Sequence, residues 1–185
     1  MIITVMAGIS GSGKSTYTQK MNQPICSTDK FVDDYAKKHN INYSDSFDLI
    51  QKKQLFGTIT ELFYAEITNH IKNDVDFVVD RTNLTSGSRK ALIDFIKREA
   101  DSFGQKYVLK CIYFSIDEKT LFERLEKRLN ETGKGIPLDV VKQQIDVWET
   151  PQINDGFDYV ENCMIWLTFS QQQEVITCAQ CANYG

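Results

Sequence analysis

Eight residues near the N-terminus, Gly8-Ile9-Ser10-Gly11-Ser12-Gly13-Lys14-Ser15, fit the pattern G-x-x-x-x-G-K-[ST]. That pattern is meaningful where a buried strand runs into a turn and the turn opens a helix. Ile2, Ile3, Val5 and Met6 supply a short β-branched apolar run before it, and Thr16 to Met21 read as the helix after it. The glycines let backbone N–H groups curl around an anion, and the helix N-terminus adds partial positive charge. A lysine at the Lys14 position reaches the β- and γ-phosphates, and a hydroxyl at Ser15 ligates Mg²⁺. Gly8, Ser10, Gly11, Ser12, Gly13, Lys14, Ser15 and Thr16 are therefore expected to hold a nucleoside triphosphate, taken as ATP, with Mg²⁺.

The rest of the chain alternates apolar runs with helical patterns. Pro24 to Ser27 reads as a second strand and Phe31 to Lys38 as a helix. Leu55, Phe56, Ile59, Leu62, Phe63, Ile67 and Ile71 mark one face of a long amphipathic helix. A third strand fits Val75 to Val79, a helix follows from about Ser88 to Ala100, and Tyr107 to Phe114 is a fourth strand. A helix from about Glu118 to Asn130, with Asp117 as its cap, ends at the Gly-containing break Thr132 to Pro137. A further helix fits Leu138 to Glu149, and a last strand fits Met164 to Thr168. Helices of this length between strands imply right-handed crossovers and an α/β fold, a parallel sheet covered on both faces. The expected organisation is one domain over residues 1–168, with a lid at about 118–137. Residues 169–185 form a polar tail or an edge strand through Glu174 to Thr177.

Composition narrows the partners. Lys and Arg number 21 against 25 Asp and Glu, so global charge does not advertise a polyanion. The stretch from Arg81 to Lys110 nonetheless carries seven basic and three acidic residues, a candidate phosphate-facing surface or a solvated helix face. The N-terminal apolar run is too short for a signal peptide, and no stretch approaches the ~18 apolar residues of a membrane span. Five cysteines fit a reducing compartment, so a soluble cytoplasmic protein without membrane attachment is expected. Cys178 and Cys181 form a lone C-x-x-C; Cys26, Cys111, Cys163, His39 and His70 offer no paired spacing to complete a zinc site. The thiols are expected to be incidental.

Three further constellations bear on chemistry. In an open α/β sheet the carboxyl ends of the strands line the ligand crevice. Cys26-Ser27-Thr28-Asp29 therefore places a carboxylate beside the phosphates, where a kinase needs a group to accept the acceptor hydroxyl's proton. The plainer alternative is that Asp29 caps the helix beginning at Lys30; Asp33 and Asp34 are expected to face solvent. Asp80-Arg81-Thr82-Asn83 closes the third strand in the same way. Asp80 is positioned to hold a Mg²⁺-bound water or the acceptor, Arg81 to contact an anionic acceptor, and Asn83 to join the substrate side or to form an Asx turn. Arg124 and Arg128 share one helix face just before the break. They suit a lid that closes over the triphosphate, with intrahelical pairing as the alternative.

Taken together, G-I-S-G-S-G-K-S-T at 8–16, C-S-T-D at 26–29, V-V-D-R-T-N-L at 78–84, E-R-x-x-x-R at 123–128, I-P at 136–137, W-E-T-P at 148–151 and D-G-F-D at 155–158 resemble the polynucleotide 5′-hydroxyl kinase domains of the P-loop superfamily and the small phage and bacterial kinases around them. The resemblance spans residues 1 to about 160. It implies a sheet of five parallel strands and transfer of the ATP γ-phosphate to the 5′-hydroxyl of DNA or RNA ends. Lys14 and Ser15 would hold phosphates and Mg²⁺, Asp29 would be the general base, and Arg128 the lid arginine. One departure is specific: Val32 stands where such kinases often place an arginine against the acceptor's 3′-phosphate. A small hydroxyl acceptor is the alternative, and a non-catalytic nucleotide-binding module is the third reading.

Overall fold

Both faces of the β-strands are apolar, which is why they pair in parallel in the interior of the molecule. A computed structural model describes residues 1–166 and 175–178. Strands β1 (Ile2–Ala7), β2 (Ile25–Cys26), β3 (Phe77–Asp80), β4 (Val108–Tyr113) and β5 (Tyr159–Trp166) run parallel in the order β2-β3-β1-β4-β5. A sixth strand, β6 (Val175–Cys178), pairs antiparallel with β5 at the edge. On one face Ile3, Val5, Ala7, Phe77, Val79 and Leu109 pack with residues of helices α4 (Phe56–Lys72) and α5 (Ser86–Phe103), among them Phe63, Ile67, Leu92 and Ile96. On the other, Met6, Val78, Ile112 and Phe114 pack with Tyr17 and Met21, beside helix α1 (Lys14–Thr18). The five parallel strands flanked by helices are the architecture that the residue pattern predicts.

Several boundaries differ from expectation for identifiable reasons. The first helix starts at Lys14, immediately after Gly13, whose φ of 103° turns the loop into it. Helix α2 (Thr28–His39) begins earlier than the apolar pattern suggests because Ser27 caps it, accepting from the Asp29 N–H. A helix absent from the sequence reading, α3 (Tyr43–Lys52), is capped by Asn42 and buries only Ser46 and Ile50. Two buried positions leave too faint a period to recognise. It is docked by the Ser46 hydroxyl, which donates to the Val32 carbonyl at 2.9 Å, and by an apolar cluster of Val32, Ile50 and Ile59.

β5 starts at Tyr159, ahead of the expected Met164, because Glu161 and Asn162 interrupt its apolar run. Glu161 there meets Lys110 of β4 at 2.5 Å. The edge strand falls at Val175–Cys178, one residue past the expected start; the remaining tail, with Cys181, lies outside the described residues. Helix α6 (Glu118–Thr132) ends in Gly133, and helix α7 (Leu138–Asp146) follows the break. Among the described residues, no helix is long and apolar enough to cross a membrane.

Candidate active site

The loop between β1 and α1 lies at the carboxyl end of the sheet's central strand. Gly11 has φ +90°, and a Cβ there would stand 2.8 Å from Leu125 Cδ2 on α6. The same close approach explains why the segment 118–137 is not a free flap. Leu121 and Leu125 are buried with Val141 of α7 against Ile9 and Ile136, and the Ser10 N–H donates to Gln144 Oε1 at 2.8 Å. The residues of α6 beyond Leu125 take no part in this apolar cluster.

Lys14 is buried, with its ammonium donating to the Gly8 carbonyl at 2.7 Å and to the Ile9 carbonyl at 3.0 Å. Burial pulls its pKa down to about 8; the Asp80 and Asp29 carboxylates act against that shift, and Arg128 adds to it. Nearby donors lack partners. Ser12 Oγ and Arg124 Nη2 are buried without a hydrogen-bond acceptor, while Arg124 Nη1 reaches the Ser12 carbonyl at 3.3 Å. Buried unpaired donors are costly unless a ligand completes them. A curled backbone, a buried ammonium and two orphaned donors together fit a polyphosphate.

Ser15 Oγ donates to Asp80 Oδ2 at 3.0 Å, and Thr18 Oγ1 stands 3.5 Å from the same oxygen. Burial raises the Asp80 pKa, opposed by Lys14 and by the Ser15 and Thr18 hydroxyls. A hydroxyl and a carboxylate, both hard oxygen donors, suit a largely hydrated Mg²⁺.

Asp29 is exposed, and because Ser27 serves as the cap its carboxylate has no capping duty. It lies close enough to influence the titration of Lys14, Asp80 and Tyr43. Arg128 acts on Lys14 and Tyr43 from helix α6. The fold thus brings Lys14, Asp29, Asp80, Arg124 and Arg128 around one crevice.

Tyr43 is the residue that sequence reasoning missed. Burial raises its pKa, and the Asp29 and Asp33 carboxylates add to the rise. The Asn42-x-x-Asp45 capping pair was the legible signal, since Asn42 Oδ1 accepts from the Asp45 N–H. Asp33, expected in solvent, binds Lys134 Nζ at 2.5 Å, and that ammonium lies 4.6 Å from the Tyr43 ring centroid. The break after α6 therefore reaches across to α2 and α3.

The remaining candidates separate. Arg81 lays its guanidinium over the Phe63 ring at 5.0 Å and makes no ion pair among the described residues. Asn83 is buried, and its amide donates to the Met6 carbonyl at 2.7 Å, stapling the end of β3 to β1. Val32 is buried in the α2–α3 cluster.

The later sequence motifs build a brace behind the site. Arg89 is fully buried; its Nε donates to Asp155 Oδ2 at 2.7 Å, and its Nη1 reaches the carbonyls of Asn83, Leu84 and Glu149. Burial alone would raise the Asp155 pKa, but bonds from Ser86, Arg89 and the Gln152 N–H hold it below the usual carboxylate value.

A family model described as an AAA domain matches residues 3–151. The chain belongs to that family. Its solved neighbours share the P-loop kinase fold. A candidate kinase from Chloroflexus aurantiacus is 12% identical, with 88% of this chain and 84% of that chain covered and a TM-score of 0.64. A fungal RNA kinase is 18% identical over 92% of this chain and 77% of that one, at a TM-score of 0.52. A chain of the Pnkp1/Rnl/Hen1 RNA repair complex is 20% identical, over 78% of this chain and 43% of that one, at 0.56. At these identities the likeness concerns the fold. No curated protein matches the sequence significantly. Family and fold together place the chain among proteins built on the P-loop kinase fold.

Proposed function

We propose that this AAA-family domain transfers the γ-phosphate of ATP to the 5′-hydroxyl of DNA or RNA ends. The observation that carries the reading is Asp29: a carboxylate freed from capping by Ser27, beside Lys14, at the carboxyl end of β2. Residues 1–168 act as the catalytic unit, with the distal part of 118–137 as its lid. The N–H groups of Gly11, Gly13, Lys14, Ser15 and Thr16, the Ser12 hydroxyl and the Lys14 ammonium bind the phosphates, while the Gly8, Ser10 and Ser12 N–H groups are taken by Thr82, Gln144 and Ile9. Mg²⁺, when bound, neutralises charge on the β- and γ-phosphates; Ser15 would hold it directly and Asp80 through water.

Asp29 accepts the proton of the attacking hydroxyl as its oxygen bonds to the γ-phosphorus. The bond from that phosphorus to the bridging oxygen breaks, and ADP carries away the electron pair. Arg128 and Arg124 stabilise charge on the transferring group. Arg81, held on Phe63 with no carboxylate partner, is available to an acceptor phosphate; Lys30 is already tied to Glu66 at 3.0 Å. The fungal RNA kinase and the RNA repair complex among the neighbours are consistent with this acceptor.

A second reading, a small hydroxyl or nucleotide acceptor, is favoured by one observation. Val32 is buried at 2% exposure, so that position offers no cation to a nucleic-acid phosphate, and Lys30 on the same turn is held by Glu66.

Transfer of label from γ-labelled ATP to a 5′-hydroxyl oligonucleotide, and not to nucleosides or sugars, is the expected result. No labelling of any oligonucleotide would overturn the acceptor. Asp29→Asn should retain nucleotide-induced thermal stabilisation while losing about 10²–10⁴ in turnover, the usual worth of a general base. Undiminished turnover removes Asp29 from that role.

A further inference from the structure

Sequence spacing offers Cys26 no metal-binding partner, yet the fold supplies two. Cys26 Sγ, a Glu66 carboxylate oxygen and a His70 ring nitrogen lie within 4.8 Å of one another. Glu66 and His70 stand one turn apart on α4 and share a face, while Cys26 ends β2 with no exposure.

Two of these side chains carry an unsatisfied atom. Glu66 Oε2 and His70 Nε2 are buried without a hydrogen-bond partner. Their side chains are otherwise held in place. Glu66 Oε1 accepts from Lys30 Nζ at 3.0 Å, and the His70 ring stacks on Phe77 with centroids 5.4 Å apart. Buried polar atoms are nearly always paired, so two orphans converging with a buried thiol require an explanation.

The donor set indicates which ion would supply it. Thiolate, imidazole and carboxylate together suit a borderline-soft tetrahedral ion, whereas Mg²⁺ prefers oxygen ligands in an octahedron. We propose that Cys26, Glu66 and His70 bind one Zn²⁺, with water as the fourth ligand. Binding forms a Zn–S bond as the Cys26 proton leaves to solvent; His70 ligates through neutral Nε2 and Glu66 through Oε2. Bonds of about 2.0–2.3 Å bring ligand atoms to roughly 3.3–3.8 Å from each other, so the three side chains close by about 1 Å.

The site is separate from the Ser15–Asp80 oxygen pair and takes no part in phosphoryl transfer. It ties β2 to α4. Because Ser27, the cap of α2, follows Cys26 directly, it anchors the start of α2.

The test uses the full chain, stripped by a chelator and titrated with Zn²⁺ against a chromophoric competitor, with Co²⁺ in parallel. One equivalent of zinc, a thiolate-to-cobalt charge-transfer band and a raised Tm are expected. Loss of a partner outside the ligand shell already costs about 10–100-fold in metal affinity, so His70→Gln and Cys26→Ser should each lose more than about tenfold. His70 is partly exposed, and circular dichroism of His70→Gln checks that the fold survives. The Cys178→Ser/Cys181→Ser double variant should bind as the parent does. Zinc affinity unchanged in His70→Gln, or binding that follows Cys178 and Cys181 in place of Cys26, overturns the site.

Discussion

Lys14 and Arg89 are both cations buried in the same fold, and their surroundings treat them in opposite ways. Arg89 sits in a closed cage of acceptors: Asp155 on Nε and three carbonyls on Nη1. Lys14 folds back on two loop carbonyls and is left with its pKa pulled down to about 8. A buried charge ringed by a carboxylate and three carbonyls serves the scaffold. One whose charged form is disfavoured, beside the orphaned donors of Ser12 and Arg124, serves a ligand that has yet to arrive.

The largest test of this contrast lies on the ligand side. Arg128→Ala should slow phosphoryl transfer by about 10³-fold or more, as expected for an arginine set against the transferring group. Its Tm should stay within about 2 °C of the parent, the reach of a partly exposed side chain outside the core. A melting temperature that fell along with activity would make Arg128 a scaffold residue like Arg89.

Next comes Arg89→Ala, which strands Asp155 in the interior. Removing one partner of a buried ion pair costs about 3–5 kcal/mol. At about 2–4 °C per kcal/mol, Tm should drop by roughly 6–20 °C in a thermal melt. A shift of only a degree or two would show that the cage is not what holds α5 to the 149–158 segment.

The smallest effect is a pH dependence of nucleotide binding. Phosphates require Lys14 charged, and the free protein releases that proton near pH 8. ADP affinity measured by calorimetry should therefore weaken about tenfold from pH 7 to pH 9, with proton uptake on binding above pH 8. The nucleotide-free fold responds with the opposite sign. Its lysine pKa lies below the unfolded value, so the unfolded chain binds more protons and this group's contribution to stability rises from about pH 8 to 10.5. A flat affinity profile would mean that Lys14 is no more perturbed than an ordinary surface lysine.

How legible each part was follows from how local its cause is. The phosphate loop could be read because strand, glycines, lysine and helix are contiguous. Asp80 could be placed because it ends an apolar run. Helix α3 was missed because only two of its residues are buried, and Tyr43 was missed with it. The motifs at 148–158 were visible but their task was not. The bond from Asp155 to Arg89 joins residues 66 positions apart, and sequence patterning does not report such distances. Cys26 is a further case: Glu66 and His70 are neighbours on a helix, but Cys26 comes beside them only through the packing of β2 against α4.

By itself the sequence determined that a strand would turn sharply into a helix around an anion, and that the strands following it would pair in parallel. Backbone sterics and hydrophobic periodicity act over a few residues, so they are written locally. Tertiary structure alone decided which charges face that anion and which are caged behind it. Asp29 combines the two: Ser27 takes the cap locally, but the groups beside the Asp29 carboxylate, Lys14, Asp80 and Tyr43, come from other parts of the chain. Burial and partner geometry set the state of a charged group, and both come from residues that only the finished fold brings together.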